Sequence, residues 1–188
     1  MFILFGTNMG PGQQANAFTF PLPAALAGTS IRATVGATSV SAIMLYSIFQ
    51  QVAAILPSST PVGAGTLTLT FNGRGSNTVP IRVVANTVGI FTRNQAGSGP
   101  GVLFNFNSQA NQPVNSLVVA AHPGQVLTLW GTGLGAVSGN EAGGPLPGNL
   151  SLPVDVYVGN KLVTPTYKGR SGCCVGIDQV VFAVPDGV

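Results

Sequence analysis

Short runs in which apolar and polar residues alternate recur along the chain. Ile31, Ala33 and Val35 are separated by Arg32 and Thr34. Leu67, Leu69 and Phe71 are separated by Thr68 and Thr70, and Val154, Val156 and Val158 by Asp155 and Tyr157. A period of two puts one set on each face of a strand, so these runs predict half-buried sheet. Asn72-Gly73 follows the second run directly and Val79–Val84 returns. Asn-Gly suits a type I′ turn, whose central residues both need positive φ, and a hairpin is predicted there. Ser41–Leu56 is apolar and rich in Ala, Met and Leu, so it fits either a buried helix or two strands with a corner near Ser47.

An internal repeat decides that ambiguity. Phe5-Gly6-Thr7-Asn8-Met9-Gly10 resembles Trp130-Gly131-Thr132-Gly133-Leu134-Gly135. Ile31–Gly36 resembles Val154–Gly159, and Gln51–Pro57 resembles Gln179–Pro185. Three matches in one order, at nearly one displacement, indicate two copies of a unit. The second-copy counterpart of Ser41–Leu56 contains Pro165, Gly169, Gly172 and Gly176. A continuous helix does not tolerate that spacing, so two strands are predicted in both copies. The expected organisation is all-β: two tandem immunoglobulin-like β-sandwiches, residues 1–88 and 89–188. Leu103, Phe104 and Phe106 predict a short strand in the stretch between them.

The copies are unequal. The first has a Leu67–Val84 hairpin after Pro57, while the second has three residues after Pro185. The first also begins inside a strand. The second sandwich is therefore expected to lack its final strands and the first to be clipped at its N-terminus. Val180, Phe182 and Val184 should then be partly uncovered, and unpaired edges exposed.

Composition narrows the function. Charged residues make up only 6% of the chain and hydrophobic ones 45%, which excludes disorder. Gly (26) and Pro (14) are frequent but not periodic, so they punctuate strands and do not build collagen. The net charge of +3 comes from scattered residues, Arg32, Arg74, Arg82, Arg93, Lys161, Lys168 and Arg170. No basic patch forms, which argues against nucleic acid as a partner. No stretch approaches a transmembrane helix, and Leu117–Ala121 is only strand-length. Met1–Phe5 lacks a basic n-region, so a signal for export would lie upstream.

The quoted motifs, with Gly89-Ile90-Phe91, Pro123-Gly124-Gln125 and Gly169-Arg170-Ser171-Gly172-Cys173-Cys174, resemble a repeat-bearing C-terminal region of uncharacterised proteins from Solibacter-type acidobacteria. They span nearly the whole chain in order. Each unit also resembles the IPT/TIG type of immunoglobulin-like domain, with its glycine-rich first turn and Gln-to-Pro strand. The resemblance implies architecture, bacterial origin and export, and carries no activity. It further implies a hairpin after Val188, often bearing a cysteine.

Candidate chemistry is sparse. Gly131–Ala136 fits G-x-G-x-x-A, but a dinucleotide site needs a following helix, and Val137–Pro145 is a poor one. A tight turn is the reading adopted. His122 is the only histidine, precedes Pro-Gly and has no G-x-S-x-G elbow to serve, so a surface loop is expected. Glu141, Asp155, Asp178 and Asp186 are the only acids and are expected to be solvated charges. They do not cluster as a calcium loop would. Cys173 and Cys174 are adjacent and too few to hold zinc. They could bond to each other, stay as free thiols, or, as preferred here, supply one partner to a cysteine in further strands in an oxidising compartment. Trp130 stands where the first copy has Phe5, and a core position is expected. Tyr46, Tyr157 and Tyr167 are too dispersed to define a carbohydrate platform. Asn149-Leu150-Ser151 matches a glycosylation sequon by chance.

No catalytic site, cofactor or metal is expected. The functional expectation is a structural or adhesion module of a secreted or cell-surface protein, partnered by neighbouring domains of a longer parent. The alternative is an extracellular module binding polysaccharide or another surface protein, which an aromatic-lined groove on an outer sheet face would favour.

Overall fold

The structure, a computed structural model, describes the whole chain, Met1–Val188. It is all-β, with antiparallel sheets and a single 3₁₀ turn at Glu141–Gly143. Two compact units form, one of Met1–Asn86 with Gly135–Pro145, the other of Thr87–Leu134 with Leu146–Val188. The segment Gly135–Pro145, assigned from the sequence to the second sandwich, belongs with the first unit.

In the first unit the strands are β1 (Phe2–Phe5), β2 (Ala15–Asn16), β3 (Ala25–Leu26), β4 (Thr29–Val35), β5 (Thr38–Ser41), β6 (Ile43–Ile48), β7 (Gln51–Ile55), β8 (Gly63–Phe71), β9 (Arg74–Gly75) and β10 (Val79–Val83). One sheet runs β1-β7-β6-β2. The other runs β10-β8-β4-β3, with β5 on β4 and β9 on β8. The alternating residues do what their period requires. Ile31, Ala33, Leu67 and Leu69 from one sheet meet Met44, Val52 and Ala54 from the other in a buried core.

Ser41–Leu56 forms two strands, β6 and β7, paired as a hairpin, and no helix, as expected. Its reversal is at Phe49-Gln50, just beyond Ser47. Ser47 lies within β6, fully buried, with its hydroxyl 2.8 Å from that of Thr29. A core hydroxyl pair, invisible in the local sequence, keeps the strand running past the serine. Asn72 and Gly73 have φ of 47° and 78°, the type I′ signature. The return strand is interrupted: Phe71 opposes Arg74, but Leu67 opposes Val79, one residue out of phase. That is a bulge, and Ser76 Oγ accepts the Leu69 amide at 3.1 Å beside it.

The second unit contains β11 (Gly89–Ile90), β12 (Leu103–Phe106), β13 (Val126–Thr132), β14 (Gly148–Asn149), β15 (Val156–Val158), β16 (Lys161–Val163), β17 (Tyr167–Arg170) and β18 (Asp178–Ala183). Its main sheet is β11-β13-β18-β17-β14, with β12 also on β13. The hairpin β15-β16 stands apart as a two-stranded sheet. Contrary to the expectation of uncovered strand residues, Val180, Phe182 and Val184 are buried, at 7%, 4% and 7% exposure. Leu150, Leu152, Val154, Val156, Val158 and Val163 pack over them. The cover comes from the long segment between β14 and β16, which a strand count does not reveal.

Pairing in the two units follows one register. Phe2, Leu4 and Phe5 oppose Ala54, Val52 and Gln51. Leu127, Leu129 and Trp130 oppose Phe182, Val180 and Gln179. The turns after β4 and β15 also agree. Val35 pairs with Thr38 and Val158 with Lys161, around Gly36 and Gly159 at φ of 57° and 58°. A left-handed glycine at the first turn position suits the type II′ hairpin in both.

Candidate functional site

Asn8 and Gly133 hold equivalent places and both have positive φ, 56° and 90°. Asn is the residue that most readily replaces Gly there, since its short polar side chain tolerates the left-handed region. A Cβ on Gly133 would lie 2.0 Å from the Thr87 carbonyl oxygen, and one on Gly131 would lie 2.5 Å from that of Gly89. Beyond each turn Met9 and Leu134 enter their cores. Only the three-residue 3₁₀ turn at Glu141–Gly143 follows Gly135, with no α-helix, so the βαβ setting a pyrophosphate needs is missing. These glycines shape a turn.

Two of the four acids are not the solvated charges expected. Asp178 is 1% exposed at the start of β18. Its Oδ2 accepts the Leu134 amide at 2.8 Å, and its Oδ1 accepts Arg170 Nη1 at 2.7 Å. Arg170 directly opposes it across β17 and β18. Burying a carboxylate is costly unless it is paired and hydrogen-bonded, and both conditions are met here. Glu141, in the first unit, is 5% exposed and accepts the Ser58 amide at 2.6 Å through Oε2. Ser58 Oγ in turn accepts the Val137 amide at 3.0 Å, and the Leu22 amide bonds the Ala142 carbonyl at 2.7 Å. Both buried carboxylates are thus engaged by backbone amides of loops. Asp155 and Asp186 are exposed, as expected.

Cys173 and Cys174 are disulfide-bonded to each other, and no cysteine is free. Of the three arrangements that the sequence leaves open, the structure holds the bond between the two neighbours. The pair sits in the loop Ser171–Ile177 joining β17 to β18, where the first unit has only Phe49-Gln50. Ser171 anchors this loop. It is buried, donates its amide to Ile177 at 2.9 Å, and accepts the Cys173 amide through Oγ at 3.1 Å. Thr132 Oγ1 donates to the Gly176 carbonyl at 2.8 Å. The Arg170–Asp178 pair closes the base.

His122 is exposed, and its Nδ1 lies 3.0 Å from the carbonyl oxygen of neighbouring Pro123. Gln125 holds this Pro-Gly turn through the His122 amide. The structure brings neither a nucleophile nor an acid to the imidazole. No three His, Cys, Asp or Glu side chains gather anywhere in the chain.

The outer face of the second unit's main sheet carries the aromatic residues. Opposed residues share a face, so Phe104, Thr128, Val181 and Tyr167 form one cross-strand row. Trp130 and Gln179 form the next. Phe104 and Trp130 meet edge to face, with ring centroids 5.8 Å apart at 62°. Trp130 is thus not a core residue as expected. Like Phe5, which is 76% exposed, it projects from the face opposite the core. Its Nε1 is nevertheless buried, with no hydrogen-bond partner. Ile90, Leu129, Leu134 and Val180 line a small, partly open apolar hollow beside the core.

No family model, curated protein or solved structure matches the chain.

Proposed function

We propose that the chain is a non-catalytic structural or adhesion module of a bacterial secreted or cell-surface protein, made of two immunoglobulin-like units of the IPT/TIG type. The observation that carries this reading is the shared register: Phe5 opposes Gln51 as Trp130 opposes Gln179. The II′ turns at Gly36 and Gly159 and the left-handed residues at Asn8 and Gly133 support it. Duplicated sandwiches of low charge, whose buried acids fasten loops, suit a spacer or adhesive role. Neighbouring domains of a longer parent protein are the natural partners.

A polysaccharide-binding role is the second reading, favoured by the Phe104, Trp130 and Tyr167 side chains on one outer face. Aromatic faces of this kind supply apolar contact to sugar rings. Affinity electrophoresis against a panel of bacterial and plant polysaccharides separates the two. The structural reading expects no retardation that depends on this face. Saturable retardation of the intact chain, lost in Phe104→Ala, would replace it with the second.

A further inference from the structure

The hairpin of β8 and β9 turns on Asn72 and Gly73, and Asn72 is the only asparagine in the chain that is followed by glycine. That dipeptide carries a chemistry of its own. The main-chain nitrogen after an asparagine can attack the side-chain carboxamide carbon. A glycine nitrogen is the least hindered, because no Cβ stands beside it.

The structure presents both reacting groups to water. Asn72 and Gly73 are exposed, and a Cβ added to Gly73 would meet nothing within 4 Å. Phe71 opposes Arg74 across the turn. In a two-residue hairpin these flanking residues exchange the ladder bonds, so the Gly73 nitrogen is not committed to the sheet. Other asparagines are held differently. Asn105 is buried, and its carboxamide is bonded to the Val119 carbonyl and to Asn115. The carboxamide oxygens of Asn94, Asn140 and Asn149 accept the amides of Ala96, Ala142 and Lys168.

The fold can also accommodate a changed turn. β9 has two residues, Arg74 and Gly75, both exposed, and β8 keeps β4 and β10 as partners without it. One contact would be reset. The Asn72 amide donates to the Gly28 carbonyl at 3.0 Å, which ties this turn to the one between β3 and β4.

We propose that Asn72 is a self-modifying site, converted in the folded chain to isoaspartate and aspartate. The Gly73 nitrogen bonds to Asn72 Cγ and gives up its proton, and the carboxamide nitrogen leaves as ammonia. The resulting cyclic imide adds a water. Opening at the Asn72 main-chain carbonyl leaves isoaspartate, with the chain routed through the side chain. Opening at Cγ leaves aspartate. No electrons are gained or lost. A neutral carboxamide becomes a carboxylate beside Arg74, and the net charge of +3 falls by one. Isoaspartate places an extra main-chain carbon where the I′ turn has room for two ordinary residues, so the pairing of Phe71 with Arg74 is released while β8 stays in its sheet.

The test holds the whole folded chain at mildly alkaline pH and maps its peptides by mass spectrometry over time. Asn72 should gain about 1 Da at a rate at least about tenfold above that of any other asparagine, with isoaspartate identified by fragmentation. Gly73→Asn keeps a residue that tolerates the left-handed region but sets a side chain beside the attacking nitrogen. It should slow the gain at Asn72 at least about tenfold. Asn72→Gly keeps the turn and should abolish the gain in that peptide. In the isoaspartyl chain, amide exchange should quicken at Phe71 and Arg74 and stay slow at Ser30 and Thr70, which pair β4 with β8. An Asn72 that stays unmodified in the folded chain but reacts in the excised peptide would overturn the proposal. So would faster reaction at another asparagine, or an unchanged rate in Gly73→Asn.

Discussion

The Asp178 carboxylate reaches across to the turn after β13 and accepts the Leu134 amide at 2.8 Å. The same carboxylate holds Arg170 at 2.7 Å. One side chain therefore joins the glycine-rich turn to the disulfide loop and sets Leu134 into the core. Asp178→Ala would remove a buried carboxylate that Arg170 holds and leave the Leu134 amide without its acceptor. Removing one partner of a buried pair costs roughly 3–5 kcal/mol. Asp178→Asn keeps an oxygen for the amide and is expected to cost less. Denaturant titration of both variants checks the order; equal, small losses would show the pair to be dispensable.

Much of the fold was legible in local pattern. Ile31, Ala33 and Val35 alternate because β4 has one face in the core, and Asn72-Gly73 can hardly be anything but a I′ turn. The similarity of Gln51–Pro57 to Gln179–Pro185 pointed away from a helix over Ser41–Leu56. What local pattern could not supply was long-range company. Nothing around Ser47 announces a hydroxyl partner at Thr29. Nothing around Asp178 announces that Arg170 will lie opposite after a seven-residue loop, Ser171–Ile177. The cover over Val180 and Phe182 comes from Leu150–Val163, whose packing depends on tertiary arrangement. The engagement of Trp130 with Phe104 likewise depends on β12 pairing with β13, outside the repeated motifs.

The two left-handed turn residues give a graded expectation. Asn8→Ala should cost about 1–2 kcal/mol, the penalty of an ordinary residue in that region. Asn8→Gly should be close to neutral. Gly133→Ala should exceed the Asn8→Ala loss, because its Cβ also meets the Thr87 carbonyl oxygen. Thermal unfolding of the three variants tests the ranking. A benign Gly133→Ala would contradict the close approach.

The cysteine pair should behave as a local clasp. Alkylation and mass spectrometry are expected to find no modified cysteine before reduction and two after it. Closing so short a ring removes little chain entropy, and the Cys173 amide bond to Ser171 Oγ and the Thr132 hydroxyl bond to the Gly176 carbonyl already hold the loop. Replacing both cysteines by serine should therefore change stability by about 1 kcal/mol or less. A disulfide-linked dimer on a non-reducing gel would contradict the neighbour pairing.

Burial raises the Tyr46 hydroxyl above its ordinary value of 10.0, against a smaller opposing pull from its hydrogen bond with Gln51. The folded state thus holds this proton more tightly than the unfolded chain. The associated stability is complete below pH 10.0 and is lost as pH rises through the higher folded value. Tyr46→Phe should flatten that alkaline decline while leaving neutral-pH stability similar. Melting curves from about pH 8 to about pH 12 check this; an unchanged alkaline slope would contradict it.

The central claim is that two copies of one sandwich unit share a single pairing register. Interstrand nuclear Overhauser contacts on the isotope-labelled chain test it most directly. The expected result is contacts joining Leu4 with Val52 and Phe5 with Gln51 in the first unit, and Leu129 with Val180 and Trp130 with Gln179 in the second. A one-residue shift in either pair of strands would turn Leu4 or Leu129 from the core to the outer face. Finding such a shift, or a different partner for β1 or β13, would contradict the claim.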